Sequence, residues 1–110
     1  MNNLVFQYLN ELEQKIATLR LSQSKVESEE LRDFYSNRLK TYKDSMLLSK
    51  TIFSPADTDD KLTEKVKICY AKLKHKADSQ PQNSFEKDGY RNIMTILQEF
   101  FKEILPLEKE

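Results

Sequence analysis

Glycine occurs once in 110 residues, at position 89. Sheets and tight turns draw heavily on residues that tolerate positive φ, so so little glycine excludes a β-rich, turn-dense fold. It also excludes a glycine-rich phosphate loop. Cysteine occurs once, at Cys69, and histidine once, at His75. One cysteine cannot build an internal disulfide framework, and it fits a reducing compartment. One cysteine and one histidine fall short of the N/S ligand set of a tetrahedral zinc site, so no metal or cofactor is expected. No run approaches the ~18 apolar residues that a spanning helix needs. The opening MNNLVFQYLNELEQK has neither a basic stretch nor a small-residue cleavage site, so it does not read as a secretory signal. The formal net charge is zero, so no global field draws in nucleic acid or anionic membrane. Together these features set the expectation of a cytoplasmic protein. Met1 favours an intact small protein over an excised piece.

What the chain does contain is charge and apolar side chains at helical spacing. Charged residues make up 33% and hydrophobic residues 38%, a mix that suits amphipathic helices in one domain spanning 1–110. Four segments carry the pattern, near 3–21, 28–53, 57–77 and 84–105. The first has Val5, Leu9, Leu12, Ile16 and Leu19 in steps of four and three, with Asn2 or Asn3 as cap. The second has Leu31, Phe34, Tyr35, Leu39, Tyr42, Met46 and Phe53. Ser24 with Glu27 resembles a capping box before it, and Ser28 competes as the cap. The third has Leu62, Val66, Cys69, Leu73 and Ala77, with Ser54, Pro55 and Asp57 at its start. The fourth runs from Tyr90 through Ile93 and Leu97 to Leu105, capped by Asn83 with Glu86 and stopped by Pro106. Gly89 inside it reads as a weak spot worth about 1 kcal/mol against alanine.

The first junction holds neither glycine nor proline, so residues 4–53 could form one rod of roughly 75 Å at 1.5 Å per residue. The apolar stripe argues otherwise. It rotates by roughly 100° between Val5–Leu19 and Leu31–Phe53, and only a turn brings both faces into one core. The expected fold is therefore an all-α, antiparallel up-and-down four-helix bundle. The last segment is apolar over about 180° of its circumference, more than the ~100° an edge helix needs. Either it sits centrally against three neighbours, or Met94, Phe101 and Leu105 meet a partner chain or a second copy of this protein.

The stretch Ser54–Lys76 holds both Cys69 and His75. Cys69 lies on the core stripe, where a free thiol acts as a small hydrophobe. His75 is six residues on, about 240° around a helix, so the two cannot pair locally for nucleophilic chemistry. Carboxylate di-iron bundles place a glutamate three residues before histidine, and here that position is Lys72. In size and class the chain is similar to histidine phosphotransfer domains. Their lysine three residues after the histidine, followed by glycine, is absent around His75. The other side of this helix gathers Lys61, Lys65, Ile68, Lys72, His75 and Lys76. Lysine there favours the C-terminal end of the helix dipole, so the face reads as solvated charge or as a docking surface.

By subtraction, the sequence predicts a non-catalytic protein-interaction module: an inhibitor, adaptor, chaperone or regulatory subunit. Its partner would be another protein, of acidic character if it meets the lysine face. The alternatives are an anionic lipid headgroup or nucleic acid on the lysine face, and a self-associating bundle. Arginine is absent from that face, which weakens lipid and nucleic-acid contact. The lysine-, asparagine- and glutamate-rich style and the tail LPLEKE resemble secreted bacterial effectors, which would place the chain in a host-cell cytosol.

Overall fold

The computed structural model describes residues 3–106. They form four helices: α1 (Asn3–Lys25), α2 (Glu29–Ile52), α3 (Asp59–Asp78) and α4 (Phe85–Phe100). The helices pack as a four-helix bundle measuring 47 × 29 × 22 Å. Asn2 and the tail residues 107–110 lie outside the described residues.

The first junction is a hairpin, closed without glycine or proline. Ser28 caps α2 by accepting the Leu31 N–H at 3.4 Å. Arg32 then reaches back over the turn, its Nε donating to the Val26 carbonyl and its Nη2 to the Glu27 carbonyl. Those carbonyls follow the end of α1, where the helix leaves acceptors unfilled. Gln23 donates to Ser36 Oγ at 2.6 Å and pins the two helices just beyond the turn. Ser24 does not cap; it lies within α1 and donates to the Leu21 carbonyl.

Two other expected caps move by one to four residues. Thr58 caps α3, while Ser54 and Asp57 close a turn of their own before it. Ser84 caps α4, preceded by Asn83 at φ 62°, a left-handed position that asparagine tolerates. Asn3, offered as a cap for α1, is its first helical residue.

The helices associate unevenly. α1 packs on α2 and α3 on α4 as two antiparallel hairpins, and the hairpins join chiefly through α2 and α4. α1 and α3 share no close backbone contact among the described residues and meet only through side chains such as Tyr8 and Cys69. α4 contacts all three other helices, so its wide apolar arc is filled from within the chain.

The α2–α4 seam is built from small and polar side chains. Thr41, Ser45 and Ser49 lie one turn apart on α2, and all three are buried. Each hydroxyl donates to a carbonyl of its own helix: Thr41 to Arg38, Ser45 to Thr41 and Ser49 to Ser45. Back-bonding of this kind satisfies the hydroxyls without a partner helix, so they can be buried at little cost. At Thr41 the small volume lets α4 come close. Gly89 lies against Thr41, and a Cβ placed there would fall on the Thr41 hydroxyl and within 2.9 Å of its Cβ. Phe34 meets Phe85 edge-to-face at 5.2 Å at one end of this seam.

Two expectations fail here for that reason. Gly89 is no weak spot to be filled by alanine; its missing side chain is what the seam requires. The α2 stripe, expected to run from Leu31 through Met46 to Phe53, buries only Leu39, Tyr42 and Phe53, while Leu31 is 48% exposed. In α1, Tyr8 is buried with Val5, Leu12 and Ile16, and Leu9 and Leu19 sit at the margin. The α3 stripe Leu62, Val66, Cys69, Leu73 and Ala77 is buried throughout.

The candidate partner face on the last segment is also corrected. α4 ends at Phe100 and not at 105, because Phe101 leaves helical geometry at φ −122°, ψ 48°. A closing turn, with the Ile104 and Leu105 N–H groups on the Phe101 carbonyl, folds the end back. Phe101 and Leu105 are thereby buried in the chain's own core and Met94 is half-buried, so these three residues form no exposed face.

Gly89→Ala tests the seam. Helix propensity alone would add about 1 kcal/mol of stability. Overpacking against Thr41 outweighs it, and a net loss of about 1–3 kcal/mol is expected in urea unfolding. Adding Thr41→Ala recovers part of that loss.

Candidate functional site

The uneven packing leaves the α2–α3 side thinly filled, and a groove of about 450 Å³ opens there. Leu48 from α2 forms one wall; Ile68, Ala71, Lys72, His75 and Lys76 form the α3 side. Their spacing explains the convergence. Positions 68, 72 and 75 are one turn apart, and 71 and 76 flank the same row. Opposite this row, Leu62, Val66, Cys69 and Leu73 face the core. Ile68 is 40% exposed, so it is an apolar side chain on a lysine face and not a core residue.

The six residues singled out on this face divide by their partners. Lys65 Nζ sits 2.6 Å from Asp57 Oδ1, and it ties the Ser54–Asp57 turn to α3. Lys61 is exposed beside that same carboxylate, toward the start of α3. Lys76 Nζ sits 2.9 Å from Asp44 Oδ2 on α2 and bridges the groove. Lys72 and His75 are exposed, and neither joins an ion pair among the described residues. The structure thus brings Ile68, Lys72, His75 and Lys76 together, and it leaves Lys61 and Lys65 to the adjoining turn.

Asp44 is the residue that sequence reasoning missed. It also accepts the Tyr90 hydroxyl at 2.8 Å, so one carboxylate links α2, α3 and α4. Partial burial pushes its pKa up, but the hydrogen bonds from Lys76 and Tyr90, with the charges of Lys76 and Lys40, hold it below the ordinary 3.8. Burial and the neighbouring carboxylate push the Tyr90 phenol up. Nothing local in the sequence marks Asp44, because its partners are distant along the chain.

The core holds one further polar cluster. Tyr8 OH lies 2.9 Å from Ser49 Oγ, and Cys69 Sγ lies 3.6 Å from the same oxygen. Ser49 has one hydroxyl proton, and it goes to the Ser45 carbonyl. Tyr8 and Cys69 are therefore the donors, each to a lone pair of Ser49. All three residues are fully buried, and burial raises the pKa of both the Tyr8 phenol and the Cys69 thiol. A protonated, enclosed thiol is a poor nucleophile. His75 is exposed on the far side of α3. Among the described residues no group of three or more His, Cys, Asp or Glu side chains could hold a metal ion. No described helix is long and apolar enough to cross a membrane.

A second groove, of about 460 Å³, lies between α1 and α4 over Tyr42. Its charge is net acidic: Glu11 pairs with Lys15 at 3.3 Å, and Glu99 is left over on the opposite wall. The α2–α3 groove differs in carrying cations without acids on its rim.

No protein family, no curated protein and no solved structure matches this chain. Its function is therefore read from its own surfaces.

The Asp44 bridge has a pH signature. Its pKa is depressed on folding, so its contribution is complete above the unfolded carboxylate value near 3.8 and fades as pH falls through the lower folded value. The site is partly open, so Asp44→Asn is expected to cost about 0.5–1 kcal/mol at neutral pH. Thermal unfolding of both proteins from pH 7 to pH 2 should show that difference shrinking only below pH ~4.

Proposed function

We propose that this chain is a non-catalytic protein-interaction module that receives a partner protein in the α2–α3 groove. The observation that supports this reading is the pairing of an apolar floor, Leu48, Ile68 and Ala71, with Lys72 and His75 on the rim, which join no ion pair among the described residues. Apolar anchors in a groove supply most of the binding free energy, and rim charges steer and orient the partner. The role is that of an inhibitor, adaptor, chaperone or regulatory subunit, which acts by occupying another protein's surface.

The competing reading places an anionic phospholipid or nucleic acid on the same lysines. It draws on the run from Lys65 to Lys76, with five lysines and no acid. Two of the five, Lys65 and Lys76, are already engaged by Asp57 and Asp44. Lysine also supplies point charges, without the bidentate contacts that arginine makes to phosphate.

Affinity purification of the tagged protein from its source cell, compared with Ile68→Asp/Lys72→Glu, decides between them. Both positions are exposed, so circular dichroism should be unchanged. A partner protein that co-elutes with the wild type and is lost from the variant is the expected result. An identical set of captured proteins would overturn the reading. So would binding only to phosphatidylserine vesicles or oligonucleotides with a steep loss in salt.

A further inference from the structure

The docking face does not stop at α3. On α2, Lys40, Lys43, Leu47 and Lys50 fall within roughly 80° of one another at 100° per residue, and they point away from the buried Ser45 and Ser49. Leu47 stands on this crest at 67% exposure, more than any other large apolar side chain among the described residues. One flank of the crest is the α2–α3 groove. The other is a groove of about 400 Å³ against α1, lined by Ile16, Ala17, Arg20, Lys43, Met46 and Leu47, among others.

The charge of this face is one-sided. Arg20, Lys40, Lys43, Lys50 and Lys72 join no ion pair among the described residues. Carboxylates are sparse there: Glu13 lies on the α1 wall, and Asp44 is taken by Lys76 and Tyr90. A chain of zero net charge thus places a basic, apolar-studded surface across α2 and onto α3. Leu47 and Ile68 stand exposed between these charges, so the face offers apolar contact beside charge. A bare polyanion would use the charges and leave both apolar side chains in water.

We infer that the partner presents an acidic amphipathic helix. It lies along the α2–α3 groove with its apolar stripe on Leu48 and Ile68 and one edge over Leu47. Its carboxylates face Lys40 and Lys72, while Lys43 and Lys50 line the α1 flank of the crest. This is helix-in-groove recognition, in which apolar anchors recur every third or fourth residue of the ligand. The inference rests on the groove reading above and adds the chemistry of the partner and the part played by α2.

The test is a display selection on the full 110-residue chain with a charge-unbiased library of helical peptides. Peptides of about 16 residues, roughly 24 Å long at 1.5 Å per residue, suffice. The expected winners carry net negative charge and apolar residues at i, i+3 or i+4, and i+7. Their affinity falls at least roughly tenfold both with Leu47→Asp and with Lys40→Glu. Both sites are exposed, so unchanged thermal unfolding serves as the fold control. Winners that need Ile68 and Lys72 but ignore the α2 variants, or that are neutral or basic, overturn this inference and leave the groove reading standing. Winners indifferent to all of these variants overturn both. So does exclusive binding of phosphatidylserine vesicles or single-stranded oligonucleotides.

Discussion

The close approach of α2 and α4 organises this bundle, and it depends on a missing side chain. At Gly89 the two backbones come near enough that a Cβ would meet Thr41. Steric exclusion of this kind is steep, whereas the helix propensity gained by alanine is about 1 kcal/mol, so packing decides the residue. Thr41 permits the approach because it is small and its hydroxyl is satisfied within α2, and Ser45 and Ser49 are buried by the same back-bonding, Ser49 against Tyr8 and Cys69. A seam of leucines would hold the helices farther apart.

Once α2 and α4 share that seam, the other sides of the bundle follow. α1 and α3 each cover one flank of the α2–α4 pair and meet each other only through side chains in the core. The α2–α3 and α1–α4 sides are left thinly filled, and a groove lies on each. The first is braced by Asp44, which holds Lys76 across the gap and Tyr90 from below. That brace fixes the groove wall and neutralises one lysine, leaving Lys72 and His75 to face outward. The functional proposal thus grows from packing: the tight seam inside leaves shallow, basic and apolar relief outside.

Where sequence reasoning succeeded, it relied on strong local periodicity. The α3 stripe at 62, 66, 69, 73 and 77 has uniform four- and three-residue steps, and every member is buried. The hairpin followed from the rotation of the stripe between α1 and α2, although the side chain that closes the turn, Arg32, left no recognisable signal. The failures have separate causes. Apolar periodicity cannot register a helix whose buried face is threonine and serine, so Thr41, Ser45 and Ser49 were passed over and Leu31 was placed inside. Tyr8 stood outside the expected α1 stripe, yet Ser49 accepts its hydroxyl in the core. The end of α4 was misplaced because Phe101, an apolar residue at helical spacing, sits where the backbone turns. Of the candidate site, the α3 residues were legible and the α2 contributions, Asp44, Leu47 and Leu48, were not. Those depend on which two helices flank the groove, which only tertiary packing reveals.

The account therefore stands on one contact between residues 48 positions apart in the chain. Nuclear Overhauser spectroscopy reads it directly. Strong cross-peaks between the Gly89 α-protons and the Thr41 methyl and β-proton are the predicted result, since a Cβ at Gly89 would lie within 3.1 Å of the Thr41 methyl carbon. Cross-peaks from Gly89 to α1 or α3 in place of Thr41, or none to any other helix, would contradict the seam and the grooves derived from it.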